Sequence, residues 1–169
     1  MKIFKLAVIF LFVLLCVNFV IPPPKGYVND FADILSERGK EELNNICINM
    51  KRQGIAEYAV LIVKKIEGGD IIGFTGEVFD KWQIGEKGKD NGLLLVISIE
   101  DRKIRIQTGY GLEAVLTDGE VGNIIDTEIL PSFKASNYEE GLIKGSYALY
   151  QRLKKGVVPK KEVKKRYDM

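Results

Sequence analysis

Apolar residues recur along this chain at two periods, and each change of period marks an element. After Ser36, placed as an N-cap, Leu43, Ile46, Cys47 and Met50 fall at helical spacing and Gly54 supplies the stop. Glu57 to Ile66 is β-branched and apolar on both faces through Tyr58-Ala59-Val60-Leu61-Ile62-Val63, the pattern of a central strand. Gly68-Gly69 predicts a turn, and Asp70 caps a second helix whose Ile71, Phe74, Val78 and Trp82 form one core-facing stripe. A polar loop from Gly85 to Gly92 leads into Leu93 to Ile99, the most apolar strand. Glu100-Asp101 then turns the chain into Lys103 to Gln107, where Ile104 and Ile106 alternate with Arg105 as on a half-exposed strand. Beyond the Gly109 to Leu116 loop, Thr117-Asp118-Gly119-Glu120 has capping-box spacing and opens a helix with Val121, Ile124, Ile125, Glu128 and Ile129. Pro131 ends or kinks it, and Asn137 and Glu140 start a last helix carrying Leu142, Tyr147, Tyr150 and Leu153. The order α-β-α-β-β-α-α predicts an α/β fold with a mixed sheet flanked by helices.

The N-terminus breaks this pattern. Lys2 and Lys5 precede a run from Leu6 to Ile21 whose one strongly polar residue is Asn18, the charged-then-apolar order of an export signal. Small residues at A-x-A spacing are missing before Pro22, and bulky Leu15 precedes Cys16 where a lipoprotein signal needs a small residue. Ile3 to Ile21 approaches the roughly 20 residues that span a bilayer. A retained N-terminal anchor fits better than cleavage, which would give a secreted domain, and Pro22-Pro23-Pro24 stiffens the exit. The chain divides into residues 1–25 as signal or anchor, 26–156 as the domain, and 157–169 as a basic tail. The expected location is the cell membrane, with the domain on its extracytoplasmic side.

Charge follows the same division. Residues 154–169 hold seven Lys or Arg against Glu162 and Asp168, and the first 25 hold three Lys, so an acidic stretch with 15 basic and 21 acidic residues lies between basic ends. The tail could touch anionic headgroups or simply be solvated. Nucleic acid is not an expected partner, and the domain is expected to be monomeric. The absence of histidine removes His-based triads and the usual zinc and iron sites. Cys47 reads as a small core residue. Gly109-Tyr110-Gly111-Leu112-Glu113-Ala114 matches G-x-G-x-x-A, but the next helix opens too late to meet a pyrophosphate, and Gly88-Lys89-Asp90 lacks the remainder of a phosphate loop. Arg102 and Arg105 flank the hairpin as solvated charges or as a grip for an anion.

Four carboxylates sit in loops or at element starts: Asp30, Asp90, Glu113 and Asp118. Brought together, they would repel one another unless protonated or bound to a cation, and oxygen ligands without histidine favour Ca²⁺, then Mg²⁺ or Mn²⁺. Each also has a local reading. Asp30 and Asp118 can be caps, Asp90 a turn residue, and Glu113 a solvated loop charge.

Tyr27-Val28-Asn29-Asp30-Phe31-Ala32-Asp33-Ile34-Leu35-Ser36, Lys81-Trp82-Gln83-Ile84-Gly85, Asp90-Asn91-Gly92-Leu93-Leu94-Leu95, Asp101-Arg102-Lys103-Ile104-Arg105-Ile106 and Thr108-Gly109-Tyr110-Gly111-Leu112-Glu113 occur in this order. Together they resemble the TPM domain from about Gly26 to Leu153. The resemblance implies a Rossmann-like three-layer sandwich, often membrane-tethered, with an acidic cluster that binds Ca²⁺ in some members. Asp30, Asp90 and Asp118 match its V-x-D, D-N-G and post-glycine-loop acids, and Glu113 the acid of G-Y-G-L-E. The expected role is a calcium-binding accessory in assembly, repair or regulation of an integral membrane protein complex. A metal-dependent acid phosphatase, with Asp90, Asp118 and Asp30 holding the metal, and a metal-free interaction domain are the alternatives.

Overall fold

The computed structural model describes residues 21–157; the apolar N-terminal run and the basic tail lie outside them. One sheet carries four strands in the order β1 (Val28–Asp30), β2 (Glu57–Val63), β3 (Gly92–Ser98) and β4 (Lys103–Thr108). The first three are parallel, and β4 returns antiparallel to β3. Helices α1 (Glu37–Arg52) and α2 (Ile71–Lys81) connect the parallel strands, and α3 (Asp118–Ile124), α4 (Leu130–Lys134) and α5 (Tyr138–Val157) follow the hairpin.

The strand β1 is absent from the periodicity because three residues are too few to show alternation. Its pairing supplies what its pattern lacks: Val28, Asn29 and Asp30 stand opposite Val60, Leu61 and Ile62. Asn29 is buried, yet its amide is satisfied, accepting from the Lys25 N–H at 2.7 Å and donating to the Gly26 carbonyl at 2.8 Å.

Period two in the central strands divides the core. Tyr58, Val60, Ile62, Leu93, Leu95 and Ile97 point to one face and pack with Leu43, Cys47 and Met50 of α1 and Leu142, Leu149 and Leu153 of α5. Ala59, Leu61, Val63, Leu94 and Val96 point to the other and are covered by Phe74 and Val78 of α2. Helices thus cover both faces, a three-layer α/β sandwich. Strand order advances steadily from β1 to β3 while α1 and α2 lie on opposite faces. Two right-handed crossovers advancing in one direction would share a face, so one of the two is left-handed, an arrangement found in only about 2% of such connections.

The three N-caps read from the sequence are formed. Ser36 accepts from the Gly39 N–H at 3.0 Å, Asp70 from Ile72 and Gly73 at 3.0 Å, and Thr117 from Glu120 at 3.3 Å. Pro131 bends its helix without ending it. Having no N–H for a carbonyl one turn back, it follows a single π turn, Ile125–Ile129, in which the Leu130 N–H reaches the Ile125 carbonyl. In the core, the Tyr58 and Ser146 hydroxyls meet at 2.8 Å and tie β2 to α5. Cys47 is fully buried, and burial pushes its thiol up to about 12, so it carries no thiolate chemistry.

Candidate functional site

The amino end of the sheet is organised by backbone packed on backbone. Asp90 takes a left-handed conformation, φ +48°, and its carbonyl accepts from the Gly111 N–H at 3.0 Å. The Gly92 carbonyl accepts from Gly109 at 2.8 Å. A Cβ on Gly109 would strike the Asp90 carbonyl oxygen, and one on Gly111 the Lys89 carbonyl oxygen, so both positions must be glycine for the loops to touch. Asn91 is buried, its side-chain carbonyl accepting from Glu86 N–H at 2.9 Å, while Glu57 accepts from Gly85 N–H at 3.0 Å and pairs with Lys51 at 2.6 Å. The D-N-G and G-Y-G-L-E segments are therefore one mechanical unit. Beside them runs a groove of about 630 Å³ lined by Phe79, Gln83, Ile84, Glu86, Lys87, Asp90 and Tyr110, among others. Tyr110 is 81% exposed at its rim. The exposed Asp90 carboxylate has no hydrogen bond or ion pair among the described residues. Glu86 is held by Lys89 at 2.6 Å, which lowers its pKa below the usual carboxylate range.

The other candidate acids are placed differently. Glu113 follows the same loop and Asp118 is the first residue of α3, both exposed and without side-chain partners among the described residues. The cap at Asp118 is supplied by Thr117 instead. Asp30 lies at the carboxyl end of β1, in register with Ile62 and through it with Ile97. Asp90 precedes Ile97 by seven residues, so Asp30 and Asp90 are separated by roughly 20 Å along the strand direction.

Asp30 is also fully engaged. One carboxylate oxygen accepts from the Ala32 and Asp33 N–H groups at 3.1 and 2.8 Å, the other from Ile34 and Leu35 at 3.0 and 2.9 Å. These four donors fill the lone-pair sites of a carboxylate and bend the chain from β1 into α1. The expectation of one acidic cluster is corrected on this point: Asp30 stands at the opposite end of the sheet from Asp90 and is occupied by its own backbone. Among the described residues no three carboxylate or thiol side chains gather where they could hold a metal ion. Asp30 and Asp90 therefore do not fit together in the single divalent-cation centre that the resemblance implies.

Several organising contacts escape sequence reasoning. Glu139 accepts from the Ser36 N–H at 2.6 Å and from its hydroxyl at 3.1 Å, so the start of α5 holds the start of α1 across 103 positions. Trp82 is half-buried, and its indole N–H donates to the Pro22 carbonyl at 3.0 Å, clasping the chain where it enters the domain. Asp101 accepts from the Ser98 hydroxyl at 2.5 Å and the Ile66 N–H at 2.8 Å, closing the carboxyl end of β3 against the turn after β2. Those two bonds, Ser98 first, lower the pKa of Asp101 from its ordinary 3.8. A depressed folded-state pKa contributes stability that is complete above the unfolded value and is lost as pH falls through the folded one. Urea unfolding should therefore show a stability gap between wild type and Ser98→Ala that is full above about pH 5 and narrows below about pH 3.5.

The TPM domain family model matches residues 28–152. Among solved structures, the N-terminal domain of a protein from P. gingivalis is 35% identical with a TM-score of 0.72, covering 77% of this chain and 83% of its own. The BA42 protein of the psychrophilic bacterium Bizionia argentinensis is 21% identical with a TM-score of 0.65, covering 75% and 86%. The N-terminal domain of a Corynebacterium glutamicum protein is 14% identical with a TM-score of 0.60, covering 78% and 84%. The last two show the shared fold alone. No curated protein matches the chain. With its strand order, its D-N-G and G-Y-G-L-E lock and a family match across nearly the whole described domain, the chain belongs to the TPM domain family.

Proposed function

We propose that this domain is a non-enzymatic binding module, held at a membrane by its N-terminal segment on the extracytoplasmic side, that captures a protein partner in the groove beside Asp90 and Tyr110. The observation that carries this reading is the backbone lock between residues 89–92 and 109–111, which holds an unpaired carboxylate and an exposed tyrosine on a rigid frame. A preorganised aromatic anchor beside a charged group is the composition of an interface hot spot. This reading does not draw on calcium, because Asp30 is occupied by its own backbone at the far end of the sheet from Asp90. Phosphatase chemistry needs an activated nucleophile. The exposed hydroxyls that meet a carboxylate, Ser36 with Glu139 and Thr127 with Glu128, are not among the residues lining the groove, and Cys47 and Tyr58 are both held neutral in the core.

A photocrosslinking amino acid at position 83, on the groove, should give a discrete adduct in intact cells, and the same group at position 48 on α1 should not. Asp90→Asn, which keeps the left-handed backbone, should reduce the adduct severalfold. Equal labelling from both positions would end the proposal. Phosphate release from an aryl phosphate that disappears in Asp90→Asn would establish the phosphatase instead.

A further inference from the structure

A second cavity lies at the carboxyl end of β3, away from the groove, where the parallel sheet gives way to the antiparallel hairpin. Open α/β sheets bind ligands at such ends. It encloses about 360 Å³ between the β3–β4 hairpin, α4 and the start of α5, within the size range of small-molecule sites. Ile97, Ile104, Leu130 and Phe133 supply apolar wall, and every charged residue lining it, Arg102, Lys103 and Lys134, is a cation.

None of these cations forms an ion pair among the described residues. The Arg102 and Lys134 side chains have no ion pair or hydrogen bond among the described residues. Lys103 gives its ammonium to the Gly69 carbonyl, a neutral acceptor. Of the acids nearby in sequence, Asp101 is hydrogen-bonded to Ser98 and Ile66 and also feels the charge of Lys103, Glu139 is held by Ser36 and Glu140 by Lys144 at 2.6 Å, while the exposed Glu100 forms no ion pair with any of the three cations. The hairpin turn holds the Arg102 backbone at φ +52°, which sets the direction in which its side chain leaves the chain. A cationic, partly apolar cavity is thus built into a stretch of chain that carries six more acidic than basic residues between positions 26 and 153. Like charge disfavours the chain's own basic residues 158–169 as its occupant.

From this complementarity we infer that the cavity binds a small amphiphilic anion, a carboxylate or phosphate head on a short apolar body. The head meets the Arg102 guanidinium and Lys134 ammonium, and the body lies on Phe133, Leu130 and Ile104. This site is independent of the groove and of any partner captured there.

The test is an amide-resolved NMR titration of the folded domain with octyl phosphate and octanoate, alongside inorganic phosphate and octanol. Saturable shifts are expected at residues 97–104 and 130–138, with either amphiphile binding at least about tenfold more tightly than phosphate or octanol alone. Arg102→Gly keeps the left-handed turn at no steric cost while removing the guanidinium, and Lys134→Gln removes the second charge. Each should weaken binding about tenfold while the spectrum elsewhere stays native. Octyl phosphate binding with octanoate inert would assign a phosphate head, and the reverse a carboxylate head; either supports the site. No saturation, shifts centred on residues 83–90 and 110, or affinity unchanged in both variants would overturn it.

Discussion

Asp30→Asn should lower the stability of this protein by about 3 kcal/mol and its melting temperature by on the order of 10 °C, although the replacement is isosteric. The carboxylate accepts four N–H groups, two on each oxygen. An asparagine keeps one accepting oxygen and turns an NH₂ toward the other two donors. The bonds lost are charge-assisted, about 1.5–3 kcal/mol each, and water at this partly exposed loop recovers some of that. Amide shifts should concentrate in residues 31–36 and the first turn of α1. The same loss should be measured in chelator and in millimolar calcium. A loss confined to calcium-containing buffer would mean that Asp30 serves a cation instead.

The second large effect is at Gly111. Gly111→Ala directs a methyl onto the Lys89 carbonyl oxygen, which belongs to backbone and cannot swing aside. Overpacking of this kind typically costs about 1–3 kcal/mol, and the upper part of that range is expected because two loops must separate. The control is Gly122→Ala in α3, where an added Cβ meets nothing within 4 Å. It should stabilise by up to about 1 kcal/mol through helix propensity. Denaturant midpoints of the two variants should move in opposite directions. Gly111→Ala should also abolish crosslinking from the groove, since the frame around Asp90 no longer closes.

The central strands, the three capped helices and the hairpin are legible in the sequence because each is fixed by contacts between near neighbours. Leu93 to Ile97 is apolar on both faces, and Ser36, Asp70 and Thr117 each sit within a few residues of the N–H groups they cap. The brief strand β1 has no such signature; parallel pairing with residues 60–62 makes it a strand. That gap obscured the site as well. Whether two loops meet depends on the end of the sheet at which each emerges, and without β1 the position of Asp30 relative to Asp90 is undetermined. The capping of Ser36 by Glu139 was hidden for a similar reason, since no local pattern links residues 103 positions apart. The D-N-G and G-Y-G-L-E segments were visible as motifs, but their role as a backbone lock appears only when a Cβ is tried at each glycine.

The opposite placement of α1 and α2 divides the sheet into two histories. Every strand and helix residue buried on the α2 side lies between positions 57 and 98, so that layer can close while the rest of the chain is still emerging. The α1 side holds Tyr58, Val60, Ile62, Leu95 and Ile97 and is completed by Leu142, Leu149 and Leu153 of the final helix. A product cut short before residue 138 would carry one finished layer and one open, oily wall. The last helix is therefore the seal whose absence a protease or chaperone would detect first.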